Sequence, residues 1–126
     1  MVEEVRDDLK YTESHEWLKV EGKKAKVGIT DHAQSELTDI VFVELPAVGK
    51  EIKKGEELCI VESVKSVSEI YSPVSGKILE VNKKLEDAPE MINQNPYDDG
   101  WLIEMEIEDK NEIDKLLDPE SYRKSI

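Results

Sequence analysis

Turn signals recur every few residues along this chain, and β-branched and aliphatic side chains fill the gaps between them. That spacing leaves room for short strands and little else. Trp17 to Val20, the turn Glu21-Gly22 and Ala25 to Ile29 read as a hairpin. Ile40 to Leu45 reads as a strand ended by Pro46, which has no N–H to donate to a ladder. Gly49 and Gly55 bracket a short strand, Glu57 to Ser63 and Val67 to Tyr71 form the arms of a second hairpin, and Gly76 to Val81 and Trp101 to Ile107 add two more strands. In the last, Leu102, Glu104, Glu106 and Glu108 alternate with Trp101, Ile103, Met105 and Ile107, the pattern of a half-buried strand. Many short strands with close turns argue for a sandwich or barrel rather than a βαβ fold.

Helices are expected to be short and peripheral. Thr30 can cap a helix running to Leu37, with Asp31 at the positive end of its dipole. Asp109 to Leu117 has Asp109 and Glu112 in capping-box spacing, with Ile113, Leu116 and Leu117 as one apolar stripe. Asp118-Pro119 opens a further helix, the proline in the first turn. This C-terminal pair is expected to cover a sheet edge. Leu85 to Asp99, with Pro89 and Pro96, reads as a loop carrying a turn of helix. A short echo between Gly49-Lys50-Glu51-Ile52 and Gly76-Lys77-Ile78-Leu79 suggests two similar half-sheets. One domain over residues 1–126 is expected, with a core over 11–107 and C-terminal helices over 109–125.

Charge narrows the function classes. Thirty acidic against 17 basic residues give a formal charge of −13. Such a field repels nucleic acid and anionic membrane and favours protein partners with basic patches. No apolar run approaches the roughly 20 residues of a membrane-spanning helix. Met1 to Lys10 resembles neither a secretory signal nor an Arg-rich transit peptide, so a cytoplasmic protein is the default expectation. Cys59 is the sole cysteine, set among Leu58, Ile60 and Val61, and reads as a small buried hydrophobe rather than a nucleophile. With two histidines, His15 and His32, no metal site is supported, and each reads as a satisfied surface or cap residue. No phosphate loop, nucleophile elbow or triad pattern is present, and no catalytic residue is assigned.

Lys65 stands apart. It sits at the tip of the second hairpin, between the uncharged Val64 and Ser66, with Glu62 three positions before it and Ser72-Pro73-Val74-Ser75-Gly76 closing the segment. A surface lysine is ordinarily a solvated charge. One displayed at a fixed hairpin tip can be chosen from the other basic side chains by an acyl-transferring enzyme, which must also supply the base that deprotonates it.

The chain resembles the H protein family of the glycine cleavage system, relatives of the lipoyl domains of 2-oxoacid dehydrogenases. The blocks carrying the resemblance are Tyr11-Thr12-Glu13-Ser14-His15-Glu16-Trp17, Gly28-Ile29-Thr30-Asp31-His32-Ala33-Gln34, Asp39-Ile40-Val41-Phe42-Val43-Glu44-Leu45-Pro46, Val61-Glu62-Ser63-Val64-Lys65, Tyr71-Ser72-Pro73-Val74-Ser75-Gly76 and Asn95-Pro96-Tyr97-Asp98-Asp99-Gly100-Trp101-Leu102. They span nearly the whole chain. A biotin carrier resembles this hairpin too, but has methionine on each side of its lysine where this chain has Val64 and Ser66.

The resemblance implies a mainly β, barrel-sandwich hybrid, lipoyl-domain-like fold with short peripheral helices, and a non-catalytic carrier. Lipoate would be amide-linked to Lys65. The implied partners are a pyridoxal-phosphate-dependent glycine decarboxylase, a tetrahydrofolate aminomethyltransferase, dihydrolipoamide dehydrogenase, and a lipoate ligase or lipoyl/octanoyl transferase. A monomer is expected. Glu62, Val64, Ser66, Glu69 and Gly76 would serve recognition of the hairpin, Gly76 being equally readable as a turn residue. Glu16, Ile29, Thr30, Asp31 and His32 would form a cleft shielding the aminomethyl-loaded arm, with Glu16 facing the cationic amine. A second reading is an H-like lipoate relay that donates lipoyl groups to 2-oxoacid dehydrogenases or a dedicated modification system. A third is an unmodified acidic adaptor. Three positions depart from the family pattern: Thr38 stands where glycine is common, Ser66 where alanine is frequent, and Glu104 where many relatives carry lysine.

Overall fold

The computed structural model describes residues 4–126; the first three residues of the acidic N-terminal stretch lie outside it. In chain order the elements are β1 (Lys10–Tyr11), β2 (Glu16–Glu21), β3 (Lys24–Ile29), α1 (Asp31–Leu37), β4 (Ile40–Glu44), β5 (Glu51–Ile52), β6 (Glu57–Ser63), β7 (Val67–Tyr71), β8 (Gly76–Val81), α2 (Lys84–Asp87), α3 (Met91–Gln94), β9 (Ile103–Ile107), a 3₁₀ helix (Lys110–Lys115) and α4 (Pro119–Ser125). All strand pairings are antiparallel. One sheet has six strands in the order β1-β2-β3-β9-β8-β5, the other three in the order β4-β6-β7.

The two sheets share one apolar core. Leu18, Val27, Ile29, Ile78, Ile103 and Met105 of the large sheet close over Val43, Cys59, Val61 and Ile70 of the small one. This is the side-chain interdigitation that holds two sheets face to face. A second cluster, Leu9, Tyr11, Trp17, Tyr97 and Tyr122, fills the outer flank of β1 and β2. Trp17 lies flat over Gly28, its cross-strand partner, where a Cβ would come within 2.6 Å of the indole. Its Nε1 donates to the carbonyl of Pro96 at 2.9 Å.

Several expectations are corrected by tertiary contacts. Glu112 does not close a capping box with Asp109. Its carboxylate accepts from the N–H (2.7 Å) and the hydroxyl (3.0 Å) of Ser75, tying the 3₁₀ helix to the turn before β8. The segment cannot continue to Leu117 as a helix, because Leu117 exchanges backbone hydrogen bonds with Tyr11 (2.9 and 2.8 Å) and so needs extended backbone. The apolar stripe is split: Ile113 and Leu116 pack on the main core, Leu117 on the aromatic cluster. The last strand starts at Ile103 rather than Trp101, since the carbonyl of Trp101 is taken by the Asn82 side chain at 2.8 Å. Leu102, on the polar phase of the alternation, is fully buried. The two echoed segments pair with each other as β5 and β8 in one sheet instead of marking separate halves.

The helix starts agree with their caps. The Thr30 side chain accepts from the Ala33 N–H, and that of Asp118 from the Ser121 N–H at 2.7 Å. Leu85 to Asp99 holds two helical turns, α2 and α3. The C-terminal segment covers the β1 edge as expected, with Tyr122 of α4 stacked on Tyr11 at 4.4 Å.

Candidate functional site

The lysine loop, residues 64–66, joins β6 to β7 and is pinned mainly through its backbone. Ser63 donates its N–H to the Ser66 carbonyl at 2.8 Å. The Ser63 hydroxyl oxygen accepts from the N–H groups of Lys65 (3.3 Å) and Ser66 (3.1 Å). Val64 donates to the Asp39 carbonyl at 3.0 Å, so the strand entering β4 also clamps the loop. Ser63 is buried, while Val64, Lys65 and Ser66 are exposed. Among the described residues, no ion pair or side-chain hydrogen bond engages the Lys65 ammonium. The main chain at Lys65 is therefore held in place, and its amine is left without a partner among the described residues. Ser63 escaped the sequence reading; its signal is a serine three residues before another, the spacing at which a hydroxyl caps its own turn.

The other hairpin residues separate by exposure. Glu62 is half-buried and pairs across the ladder with Val67 on one side and Phe42 on the other. Glu69 is exposed and accepts from the Tyr71 hydroxyl at 2.8 Å. Gly76 is buried at the start of β8, where a Cβ would sit 2.1 Å from the Glu106 carbonyl oxygen. Close approach of β9 requires glycine there whatever enzyme reads the hairpin.

Glu16 opens β2 and is only 1% exposed. The hydroxyls of Thr12 and Ser14 (the latter at 2.6 Å) donate to its Oε1, and the N–H of Tyr71 donates to Oε2 at 3.3 Å. The carboxylate thus joins the β1–β2 loop to the far end of β7, the arm of the lysine hairpin. Burial raises its pKa, with the Ser14 and Thr12 hydroxyls and the Tyr71 N–H opposing that rise. Oε2 keeps acceptor capacity that a cation could take. A groove of about 480 Å³ opens beside these hydroxyls, lined by Thr12, Ser14, Lys54, Lys115 and Leu117 among others.

The strand-to-helix segment beside Glu16 is mostly enclosed. Ile29 belongs to the core and Thr30 is fully buried, its hydroxyl 2.7 Å from that of Tyr122. Asp31 is bonded to Gln34 Nε2 and to the Glu4 N–H, both at 2.8 Å. His32 is partly exposed, its Nε2 3.8 Å from Glu36. The fold brings the two histidines together, with ring centroids 4.5 Å apart, and places His15 Nδ1 2.8 Å from the Tyr122 hydroxyl. Their separation in sequence gave no sign of this. Among the described residues no three His, Cys, Asp or Glu side chains converge as metal ligands.

Comparison with known proteins assigns this two-sheet chain to a family. The family model described as glycine cleavage H-protein matches residues 9–126. The chain belongs to that family. It is 53% identical over 123 residues to a probable glycine cleavage system H protein of Haloarcula marismortui, covering 98% of this chain and 97% of the relative. It is 56% identical over 122 residues to the glycine cleavage system H protein of Endomicrobium trichonymphae, covering 97% and 98%. The crystal structure of a glycine cleavage system H protein from Mycobacterium marinum superposes with a TM-score of 0.82 at 37% identity, covering 94% and 95% of the two chains. The fold is therefore the lipoyl-domain-like fold of that family. As an H protein, the chain is a carrier component of the glycine cleavage system and not a catalyst.

Proposed function

We propose that this chain carries lipoate in amide linkage to Lys65. In this reading it moves the aminomethyl group of glycine from the pyridoxal-phosphate-dependent decarboxylase to the tetrahydrofolate aminomethyltransferase, and dihydrolipoamide dehydrogenase reoxidises it. The supporting observation is the Lys65 loop: an exposed lysine, without an ion-pair partner among the described residues, on a backbone fixed by Ser63 and Asp39. The residues present fit such a group, because an amide removes a charge that no ion pair among the described residues stabilises. When bound, the dithiolane supplies a disulfide that opens to accept the aminomethyl group and closes again on oxidation.

The chain's own residues position and protect. Ser63 and Asp39 hold the loop so that one amine is offered in every copy. Glu16, anchored by Thr12, Ser14 and the Tyr71 N–H, offers an acceptor oxygen to a cationic amine. Burial makes that contact stronger than it would be in water, since fewer solvent dipoles screen it. Asp31 and His32 open α1 but turn to other partners, Asp31 to the Glu4 N–H and Gln34 and His32 to the His15 ring, so Glu16 with Thr12 and Ser14 carries the proposed contact.

The deciding experiment is intact mass of the protein purified from its native cell, with the lipoyl increment mapped by peptide digestion, together with glycine–bicarbonate exchange in the presence of the decarboxylase. The expected result is an increment on Lys65 and exchange that Lys65→Arg abolishes. Bare protein under lipoate-replete conditions overturns the proposal. A lipoylated chain inactive in exchange identifies a lipoate relay instead.

A further inference from the structure

Exposed apolar side chains gather around the lysine loop. Val41, Phe42, Val64 and Val67 are 53, 50, 66 and 64% exposed. All four lie on β4, at the head of β7 or in the loop itself. The register sets Phe42 opposite Glu62 and Glu62 opposite Val67, so these three form one row across the outer face of the small sheet. The next row is Glu44, Ile60 and Glu69. Phe42 is the chain's only phenylalanine, and half of it faces water. Around the strip stand the carboxylates of Asp39, Glu44, Glu62 and Glu69, and Lys65 is the sole basic residue in 39–44 and 57–71.

Charge and reach select the occupant. A second copy would set carboxylate rim against carboxylate rim in a chain carrying −13. Enzymes that act at the end of a long arm need not touch the strands at its root. An enzyme that acts on the amine itself must bring its acyl carbon to Nζ, roughly 6 Å from the Lys65 Cα by ordinary bond lengths. It cannot do so without covering the loop and the row behind it.

We infer that the Phe42–Glu62–Val67 row, with Val41 and Val64, is the docking surface for the enzyme that acylates Lys65. That enzyme meets it with an apolar hollow edged by lysine or arginine. The inference rests on the assignment of Lys65 as the attachment site. In the reaction the Nζ lone pair attacks the carbonyl of an activated lipoyl group and the C–N bond forms. A base of the enzyme takes one ammonium proton before the attack, which frees that lone pair, and a second N–H proton after it; the activating group leaves with its electron pair and the amide is neutral.

The test is the initial rate of lipoylation of the unmodified protein by a purified lipoate–protein ligase supplied with lipoate and ATP, followed by intact mass. Phe42→Ser and Val67→Thr each lower kcat/KM by roughly tenfold through KM, as loss of an interface anchor does. Val20→Thr, an exposed apolar residue of β2, leaves it unchanged. The wild-type rate falls with salt, and Glu44→Gln with Glu69→Gln flattens that dependence. Phe42 is half in water, so its truncation leaves the core intact, which thermal unfolding checks. Equal kcat/KM for Phe42→Ser and wild type overturns the inference and leaves the Lys65 assignment standing. A wild type that gains no mass at Lys65 overturns both. Pre-lipoylated Phe42→Ser losing glycine exchange as strongly as the unmodified protein loses acylation, or a wild-type dimer that Phe42→Ser dissociates, overturns the choice of occupant.

Discussion

Glu16 shows how burial converts an ordinary carboxylate into a poised one. Its pKa is raised by desolvation, so the folded state holds the proton more readily than the unfolded chain does. The stability it contributes is present below the ordinary carboxylate range and is lost as pH rises through the raised folded value. Glu16→Gln, which stays neutral, should therefore gain stability relative to wild type across that interval, as urea unfolding from pH 4 to 7 reads directly. The same variant should hydrolyse its aminomethyl load faster, because the cation loses its counter-charge; an unchanged rate would remove Glu16 from that role. Thr38 makes a different point. It ends α1 at φ 65° and ψ −148°, a conformation that suits glycine, while its carbonyl accepts from Asn93. Thr38→Gly should stabilise by about 1 kcal/mol, relief of roughly 1–3 kcal/mol of strain offset by the greater freedom of unfolded glycine. The denaturation midpoint measures it.

At the scale of elements, the lysine hairpin was legible because strand alternation and the polar interruption both fall in contiguous sequence. β6 and β7 occur at the residues that periodicity assigns, and Thr30 and Asp118 cap where their types prefer to. What could not be read is what depends on distant partners. Glu112 has capping-box spacing, yet Ser75 captures it from 37 residues away. His15 and His32 meet only because β2 pairs with β3 and α1 folds back. Ser63 has the sequence setting of any strand end, and only the fold puts its hydroxyl under the loop. Ser63→Ala should leave two loop N–H groups without their acceptor and loosen the tip. The expected result is faster amide exchange at Lys65 and Ser66 and a severalfold lower rate of acylation, with global stability down by about 1 kcal/mol. Hydrogen exchange of the apoprotein separates this local effect from general unfolding.

For the whole molecule, the second aromatic cluster fastens the C-terminal segment to the edge of the large sheet. Tyr122 is fully buried, stacked on Tyr11 and bonded to Thr30 and His15. Tyr122→Ala should cost about 3 kcal/mol, within the usual range for a buried aromatic, and lower the thermal midpoint. Tyr122→Phe, keeping the ring, should cost less; equal losses would show that the hydroxyl network and not the stacking holds α4 down. The loop under Lys65 has a longer-range consequence. Its cradle is made of main-chain groups and one serine, none of which senses whether the lysine is charged. The acylating enzyme that meets vacant copies by the face around this loop therefore also meets laden ones, and once most carriers are loaded its own product competes for its docking berth.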